Sequence, residues 1–372
     1  MWRKLVAFMR IGDFGPGGKP NPLTRRPAPA VTALTETAFN PNPGNLRMFS
    51  FVPATIGAGA PLVVLLHGCG QTAAGYDAGT GWSQLAAERG FAVLAVEQKA
   101  VNNPHTCFDW FNPEDTTRGE GEVASIAAMI QQMLETHGLD RRRVFITGLS
   151  AGGAMTAAML ATYPELFAGG AIIAGLPFGV AANVRDALEV MRSAPLKTPQ
   201  AWGDLVRAAS PHTGPWPKIS IWHGGLDLTV NISNAQASVA QWADLHGLAL
   251  TGAKQEMVHG AIRLSWGDRL EVYTLPGLGH GTPIDAREIG AAAPFILDAG
   301  ISSTARIAEF WGLLKKPAAK PRPPRVHIVT PPSRTALPEI EAALAPEQAT
   351  LSKRLDNIIR RALKAAGLIR KQ

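Results

Sequence analysis

Only two cysteines, Cys69 and Cys107, occur in 372 residues, and neither belongs to a C-x-x-C pair or another metal-ligand spacing. Neither a cysteine-based zinc motif nor a dense disulfide framework is therefore read from the sequence. Charged residues are scarce, 17% against the usual quarter or so. Aromatics are also few, at 7% with only three tyrosines. No apolar run approaches the roughly 18 residues needed to cross a bilayer as a helix. The basic start Met1-Trp2-Arg3-Lys4 leads into Leu5–Met9, but Arg10 ends that apolar stretch. It is too short for the core of a secretory signal, and residues 1–12 read as a short amphipathic surface segment.

A net charge of +7 invites a nucleic-acid reading, but the charge is not where such a reading needs it. Residues 1–45 hold six Lys/Arg against two acids, and residues 301–372 hold fourteen against five, so the ends carry +4 and +9 and residues 46–300 carry −6. A nucleic-acid enzyme places its positive charge beside the site, so no nucleic-acid partner is expected.

What is present is alternation. Pro61-Leu62-Val63-Val64-Leu65-Leu66 and Phe91–Val96 are near-continuous apolar runs, the pattern of parallel strands buried on both faces. Further strands are expected at Met48–Val52, Arg143–Thr147, Gly170–Ala174, Ile219–Trp222 and residues 269–275. Helices are expected at Gly81–Arg89, after Gly152, over 232–246 and over 121–137, where Val123, Ile126, Ala127, Ile130 and Leu134 recur at helical spacing. Strands alternating with helices predict an α/β fold: a mostly parallel central sheet covered by helices on both faces. Its bounds are read as residues 45–300, after a flexible extension over 1–44 that is rich in Gly and Pro at 13–30. A basic, proline-rich linker over 315–325 and a C-terminal amphipathic helix make up the rest of 301–372. In that helix Leu351, Leu355, Ile358, Ile359, Ala362, Leu363 and Ala366 line one face amid Lys and Arg. Such a helix either binds an anionic membrane, a granule surface or a partner, or packs back on its own domain.

The densest signal is Gly148-Leu149-Ser150-Ala151-Gly152, set between an apolar strand and a helical run. A G-x-S-x-G in that context is a nucleophile elbow: the serine sits on a strained turn, and the glycines remove side chains that would collide there. A nucleophilic serine needs a base, an orienting acid and oxyanion donors. In chain order Ser, acid, His, the acid is Asp227 in His223-Gly224-Gly225-Leu226-Asp227 and the base is His280 in Gly277-Leu278-Gly279-His280-Gly281. Both lie in glycine-rich loops past strands, where such sheets present functional groups. His137 and His246 fall at helix ends, His259 reads as an exposed strand residue, His223 as a packed or turn residue, and His327 lies in the tail. His67-Gly68-Cys69-Gly70-Gln71 follows the first buried strand, where the second oxyanion donor belongs. Cys69 N–H is the expected donor, with Gly70 as the alternative, and Ala151 N–H completes the pair. Cys69 and Cys107 both fall in loops expected at this mouth, as one disulfide in an oxidising compartment or as two free thiols.

Together these segments resemble the polyhydroxybutyrate depolymerase family of esterases, with its feruloyl and acetylxylan esterase relatives. The carrying stretches are His67–Gln71, Gly79-Thr80-Gly81-Trp82, Cys107-Phe108-Asp109-Trp110-Phe111, Gly148–Gly153, Ala174-Gly175-Leu176-Pro177 and His223–Asp227, spread over residues 45–300. The resemblance implies an α/β-hydrolase fold, and a serine carboxylesterase that needs no cofactor or metal. Its nucleophile is Ser150, its acid Asp227 and its base His280, and its substrates are short 3-hydroxyacyl esters or polyhydroxyalkanoate oligomers. Plant cell-wall esters are the alternative, and a granule-binding protein with vestigial hydrolysis is a further one. The resemblance also implies an acyl pocket bordered by the Cys107–Phe111 loop, with Trp110, Phe108 and Gln71 as its lining; from the residues alone that aromatic cluster reads equally as core. An extracellular location is implied, with the cytoplasm as the alternative. Two features depart from the family. The tail is too short and too basic to look like the separate substrate-binding domain of polymer-degrading members, and Gly281-Thr282-Pro283, rather than an aromatic, follows His280. Both favour soluble esters over crystalline polymer.

Overall fold

The computed structural model describes residues 34–314. The surface segment expected at 1–12, the lead at 13–30, the linker at 315–325, His327 and the basic helix over 351–366 lie outside these residues. Among the described residues, ten strands form one sheet. They are β1 (Thr35–Thr37), β2 (Arg47–Phe51), β3 (Leu62–Leu66), β4 (Ala92–Glu97), β5 (Val144–Leu149), β6 (Gly169–Ile173), β7 (Lys218–Gly224), β8 (Lys254–Val258), β9 (Ala261–Trp266) and β10 (Leu270–Leu275). Their order is β1-β2-β4-β3-β5-β6-β7-β10-β9-β8. The six inner strands from β4 to β10 run parallel, and antiparallel pairs close both edges. Two short parallel strands, β11 (Thr282–Ile284) and β12 (Ile296–Asp298), stand apart.

β3 shows why the sheet is buried on both sides. Leu62, Val64 and Leu66 enter one hydrophobic cluster, and Val63 and Leu65 enter the other. Successive strand side chains point to opposite faces, so five consecutive apolar residues serve two cores. The helices divide accordingly. One cluster takes Ile126, Ile130 and Met133 of Gly121–His137, together with Val239 and Trp242 of Ser233–Leu245. The other takes Tyr76 of Ala73–Thr80, Leu85 of Trp82–Arg89, and Ile307 of Ser303–Phe310.

Both expected domain ends move outward. Residues 34–44 are part of the fold: β1 pairs with β2, and Gly44 N–H donates to Ser125 Oγ at 2.8 Å. At the other end, Ile307, Ala308, Trp311 and Leu313 are buried, with Trp311 stacked on Phe145 and Trp82. These apolar side chains bury their surface against the sheet, so residues 301–314 belong to the core rather than to a linker. His259 stands in the turn between β8 and β9 at φ 49°, not in a strand.

One buried group ties stability to pH. Asp77 is 3% exposed, and its Oδ1 accepts from Ser83 N–H at 2.8 Å, near the start of the Trp82–Arg89 helix. Burial pushes its carboxyl up to about 6, against the hydrogen bonds from Ser83. The fold thus holds the proton more tightly than the unfolded chain, and this contribution is complete below about pH 4 and lost as pH rises through about 6. Asp77→Asn keeps the Oδ1 acceptor and stays neutral. In denaturant unfolding it is expected to exceed the wild type by about 2–3 kcal/mol at pH 8 and to match it at pH 4. A difference independent of pH would contradict this.

Candidate active site

The chain runs from β3 outward to β4 and then returns to β5 on the other side of β3. The order of strand addition therefore reverses between the parallel strands β3 and β5, and the crevice beyond the carboxyl ends of such strands is where α/β proteins bind ligands. Four loops leaving parallel strands meet there: His67–Gln71 after β3, Ser150 after β5, Asp227 after β7 and His280 after β10.

Ser150 has φ 56° and ψ −116°, a left-handed backbone that a non-glycine residue adopts only when its surroundings impose it. Its N–H donates to Ile173 O at 2.9 Å, fastening the turn to β6. The helix Ala151–Thr162 starts at the next residue. Gly152 is needed for the approach of β3: a Cβ there would lie 2.2 Å from Leu66 O. At Gly148 a Cβ would lie 2.3 Å from Gly152 O. The two glycines let the turn close against the neighbouring strand.

Asp227 and His280 are brought together by the pairing of β7 with β10, extended by Gly225 N–H to Leu275 O at 2.7 Å and Leu226 N–H to Leu278 O at 2.9 Å. His280 Nε2 lies 2.9 Å from Ser150 Oγ, and its Nδ1 lies 2.7 Å from Asp227 Oδ2. Asp227 Oδ1 accepts from Thr229 and Val230 N–H at 2.9 and 2.8 Å. Burial pushes the Asp227 carboxyl up, but the hydrogen bond and charge of His280 and the Val230 N–H outweigh it and hold the carboxyl below its ordinary range. An ionised Asp227 accepts from His280 Nδ1–H and leaves Nε2 with a lone pair toward the serine.

Cys69 and Cys107 are joined in a disulfide that ties the His67–Gln71 loop to the segment before Phe108. A cleft of about 550 Å³ is lined by Cys69, Gly70, Pro104, His105, Thr106 and Cys107. Gly70 N–H, the alternative oxyanion donor, is spent on His105 O at 2.8 Å. Cys69 N–H has no acceptor among the described residues, and Ala151, as the first residue of its helix, has no carbonyl one turn back to bond.

The three residues expected to line a pocket separate. Trp110 is half-buried, edge-on to Phe111 at 5.6 Å and packed by Ala154, Leu176 and Val230, at the margin of the site. Phe108 is fully buried, 5.1 Å from the His67 ring, and presents no surface to a substrate; it is core. Gln71 spends its amide on structure, accepting from Gly68 N–H at 2.9 Å and donating to Pro294 O at 3.0 Å.

Several further residues lie near the site, and His223 is packed there as its sequence context suggests. Phe295 stands edge-on to His280 at 5.9 Å and is 47% exposed, so an aromatic does reach the histidine, from fifteen positions downstream. Leu226 and Leu228, beside Asp227, are 63% and 98% exposed. His223 is buried, its Nε2 2.7 Å from Val230 O and 3.4 Å from Asp227 Oδ2. Burial lowers its pKa, and a neutral ring donating Nε2–H to the carbonyl satisfies that contact. Glu122, also buried, accepts from Asp109 N–H at 3.0 Å beneath the Trp110 loop; burial first, then Asp115 and Asp109, pushes its carboxyl up.

The family profile described as Esterase PHB depolymerase matches residues 48–260. The chain belongs to this family. Over 296 residues it is 46% identical to a poly(3-hydroxyalkanoate) depolymerase C of Paucimonas lemoignei, covering 77% of this chain and 71% of that one. It is 35% identical over 281 residues to an acetylxylan esterase of Coprinopsis cinerea, covering 72% and 75%. Among solved structures, the acetyl xylan esterase from Aspergillus awamori superposes with a TM-score of 0.66 at 26% identity, over 76% of this chain and 99% of that one. The protein is thus an α/β-hydrolase-fold esterase, a hydrolase of carboxylic esters, and its partner is an ester substrate. No helix among the described residues is long and apolar enough to cross a membrane.

Proposed function

We propose that this esterase works through an acyl-enzyme on Ser150 and cleaves short 3-hydroxyacyl esters or polyhydroxyalkanoate oligomers. The observation that carries the reading is the hydrogen-bonded series from Ser150 Oγ through His280 to Asp227. Ser150 Oγ attacks the ester carbonyl carbon as His280 Nε2 takes its proton. Cys69 and Ala151 N–H stabilise the oxyanion, and His280 returns the proton to the departing alcohol. Water, activated by the same imidazole, then releases the acid. Asp227 stays ionised throughout, holding the Nδ1–H tautomer and balancing the imidazolium.

The substrate assignment is supported by the identity to the poly(3-hydroxyalkanoate) depolymerase and by the apolar rim of Leu226, Leu228 and Phe295, which suits an aliphatic acyl chain. The resemblance to acetylxylan esterases supports a second reading, deacetylation of xylan. An extracellular place of work is supported by the Cys69–Cys107 disulfide, a bond that persists in oxidising compartments.

A fluorophosphonate probe is expected to label the protein at Ser150 alone, as read by peptide mass spectrometry. Rates on 3-hydroxybutyrate trimer are expected to exceed those on acetylated xylo-oligosaccharides at least tenfold. Labelling elsewhere would reject the mechanism, and the reverse substrate order would replace the first reading with the second.

A further inference from the structure

We propose that His67 is a positioning residue for the oxyanion donor, its ring setting the direction of the Cys69 N–H. The inference rests on the role given above to that N–H. In a planar trans peptide the carbonyl of one residue and the N–H of the next point in opposite directions. Whatever holds Gly68 O therefore aims Cys69 N–H.

Gly68 O is held by His67 Nδ1 at 2.7 Å and by Gln71 N–H at 3.2 Å. The other ring nitrogen, Nε2, accepts from Gln98 N–H at 3.1 Å. Gln98 directly follows β4, so the imidazole braces the loop after β3 against the end of the adjacent strand. Because Nε2 accepts, the ring is neutral with its proton on Nδ1, directed at Gly68 O. Burial, which disfavours the charged ring, acts in the same direction. The side chain is wholly enclosed, with Phe108 against the ring at 5.1 Å, and has no room for another rotamer.

Around it, every other N–H of the turn is occupied: Gly68 N–H by Gln71 Oε1, Gly70 N–H by His105 O and Gln71 N–H by Gly68 O. One peptide hydrogen of the turn, that of Cys69, is left without an acceptor among the described residues, and His67 holds the opposite end of that peptide. What sets this histidine apart from a packing residue is the partner of Nδ1, the carbonyl of the very peptide that carries the donor.

The test uses two variants that each keep one side of the clamp. The amide nitrogen of His67→Asn falls near the place of Nδ1 and can still donate to Gly68 O. The amide of His67→Gln falls near Nε2 and retains a partner for Gln98 N–H while releasing the carbonyl. With p-nitrophenyl butyrate, His67→Gln is expected to lose about 10²–10³-fold in kcat, the scale of one oxyanion donor, with KM within about threefold. His67→Asn is expected to stay within about tenfold of wild type. Affinity for an alkyl boronate, which forms a tetrahedral adduct, should fall in step with kcat in the first variant and not in the second. Equal kcat in the two variants, or losses that only follow the folded fraction seen by circular dichroism, would overturn the proposal.

A measurement on the wild type does not depend on either variant folding. With ¹⁵N-labelled histidine at pH 8, the His67 ring is expected as the neutral Nδ1–H tautomer. A charged ring or an Nε2–H tautomer would overturn the proposal. Failure of the underlying reading looks different: Ser150→Ala would keep its activity, or boronate would leave the wild-type Cys69 amide resonance unmoved.

Discussion

Ser150→Ala is expected to lower kcat on p-nitrophenyl butyrate by on the order of 10⁶-fold while leaving the unfolding midpoint nearly unchanged. The separation of the two effects follows from the turn. Ser150 is held at φ 56° by its N–H bond to Ile173 O and by the close fit of the glycines on either side. Alanine has the same Cβ as serine and meets the same backbone strain, so the substitution adds none. What disappears is Oγ, the atom 2.9 Å from His280 Nε2. Steady-state rates together with thermal unfolding check both halves. A variant retaining more than about a tenth of wild-type activity would reject Ser150 as nucleophile.

Asp227→Asn is expected to cost about 10⁴-fold in kcat, again with the fold intact. The direction of the effect can be worked out atom by atom. Oδ1 of Asp227 accepts from two backbone N–H groups, Thr229 and Val230, and an asparagine keeps its carbonyl oxygen there. Its NH₂ must then face His280 Nδ1, where Oδ2 stood at 2.7 Å. Two donors cannot face each other, so Nδ1 gives up its hydrogen and the proton moves to Nε2. The imidazole would then present N–H to Ser150 Oγ and could not accept its proton. His223 offers no substitute, because its Nε2 is committed to Val230 O and its ring is kept neutral by burial. The check is kcat measured beside binding of a substrate-like competitive inhibitor, which should be little changed. A loss smaller than tenfold would mean that Asp227 does not orient the base.

The elbow was legible because everything that defines it lies within a few residues. A buried strand, a turn that tolerates no side chains at Gly148 and Gly152, and a helix start are properties of a local segment. The order Ser, acid, His likewise pointed to Asp227 and His280, each in a glycine-containing loop after an apolar strand. Where the pattern was weaker the reading failed. The edge strand β8 is mostly exposed and lacks a buried face to mark it. The Ser303–Phe310 helix runs directly into the basic, proline-rich stretch and is hidden by its composition, although Ile307, Ala308 and Trp311 anchor it in the core.

Within the site the boundary is sharper. The run Cys107-Phe108-Asp109-Trp110-Phe111 does not say which ring turns inward. The packing of Phe108 against His67, thirty-one positions before Gln98 in the chain and beside it in space, settles the matter. Phe295 reaches His280 only through the pairing of β11 with β12, which no local signal announces. Gln71 looked like a polar group for a ligand until both ends of its amide were seen bonded to backbone.

Composition, apolar period and turn chemistry were enough to give the α/β sheet and to point to a serine at its rim and two candidate partners, because each signal depends on neighbours along the chain. Which side chains turn toward that serine, which are spent as braces, and that the cysteines pair, were decided by the pairing of β3 with β4 and β5 and of β7 with β10. Contacts between segments tens of residues apart depend on how faces pack, and packing is absent from a one-dimensional pattern.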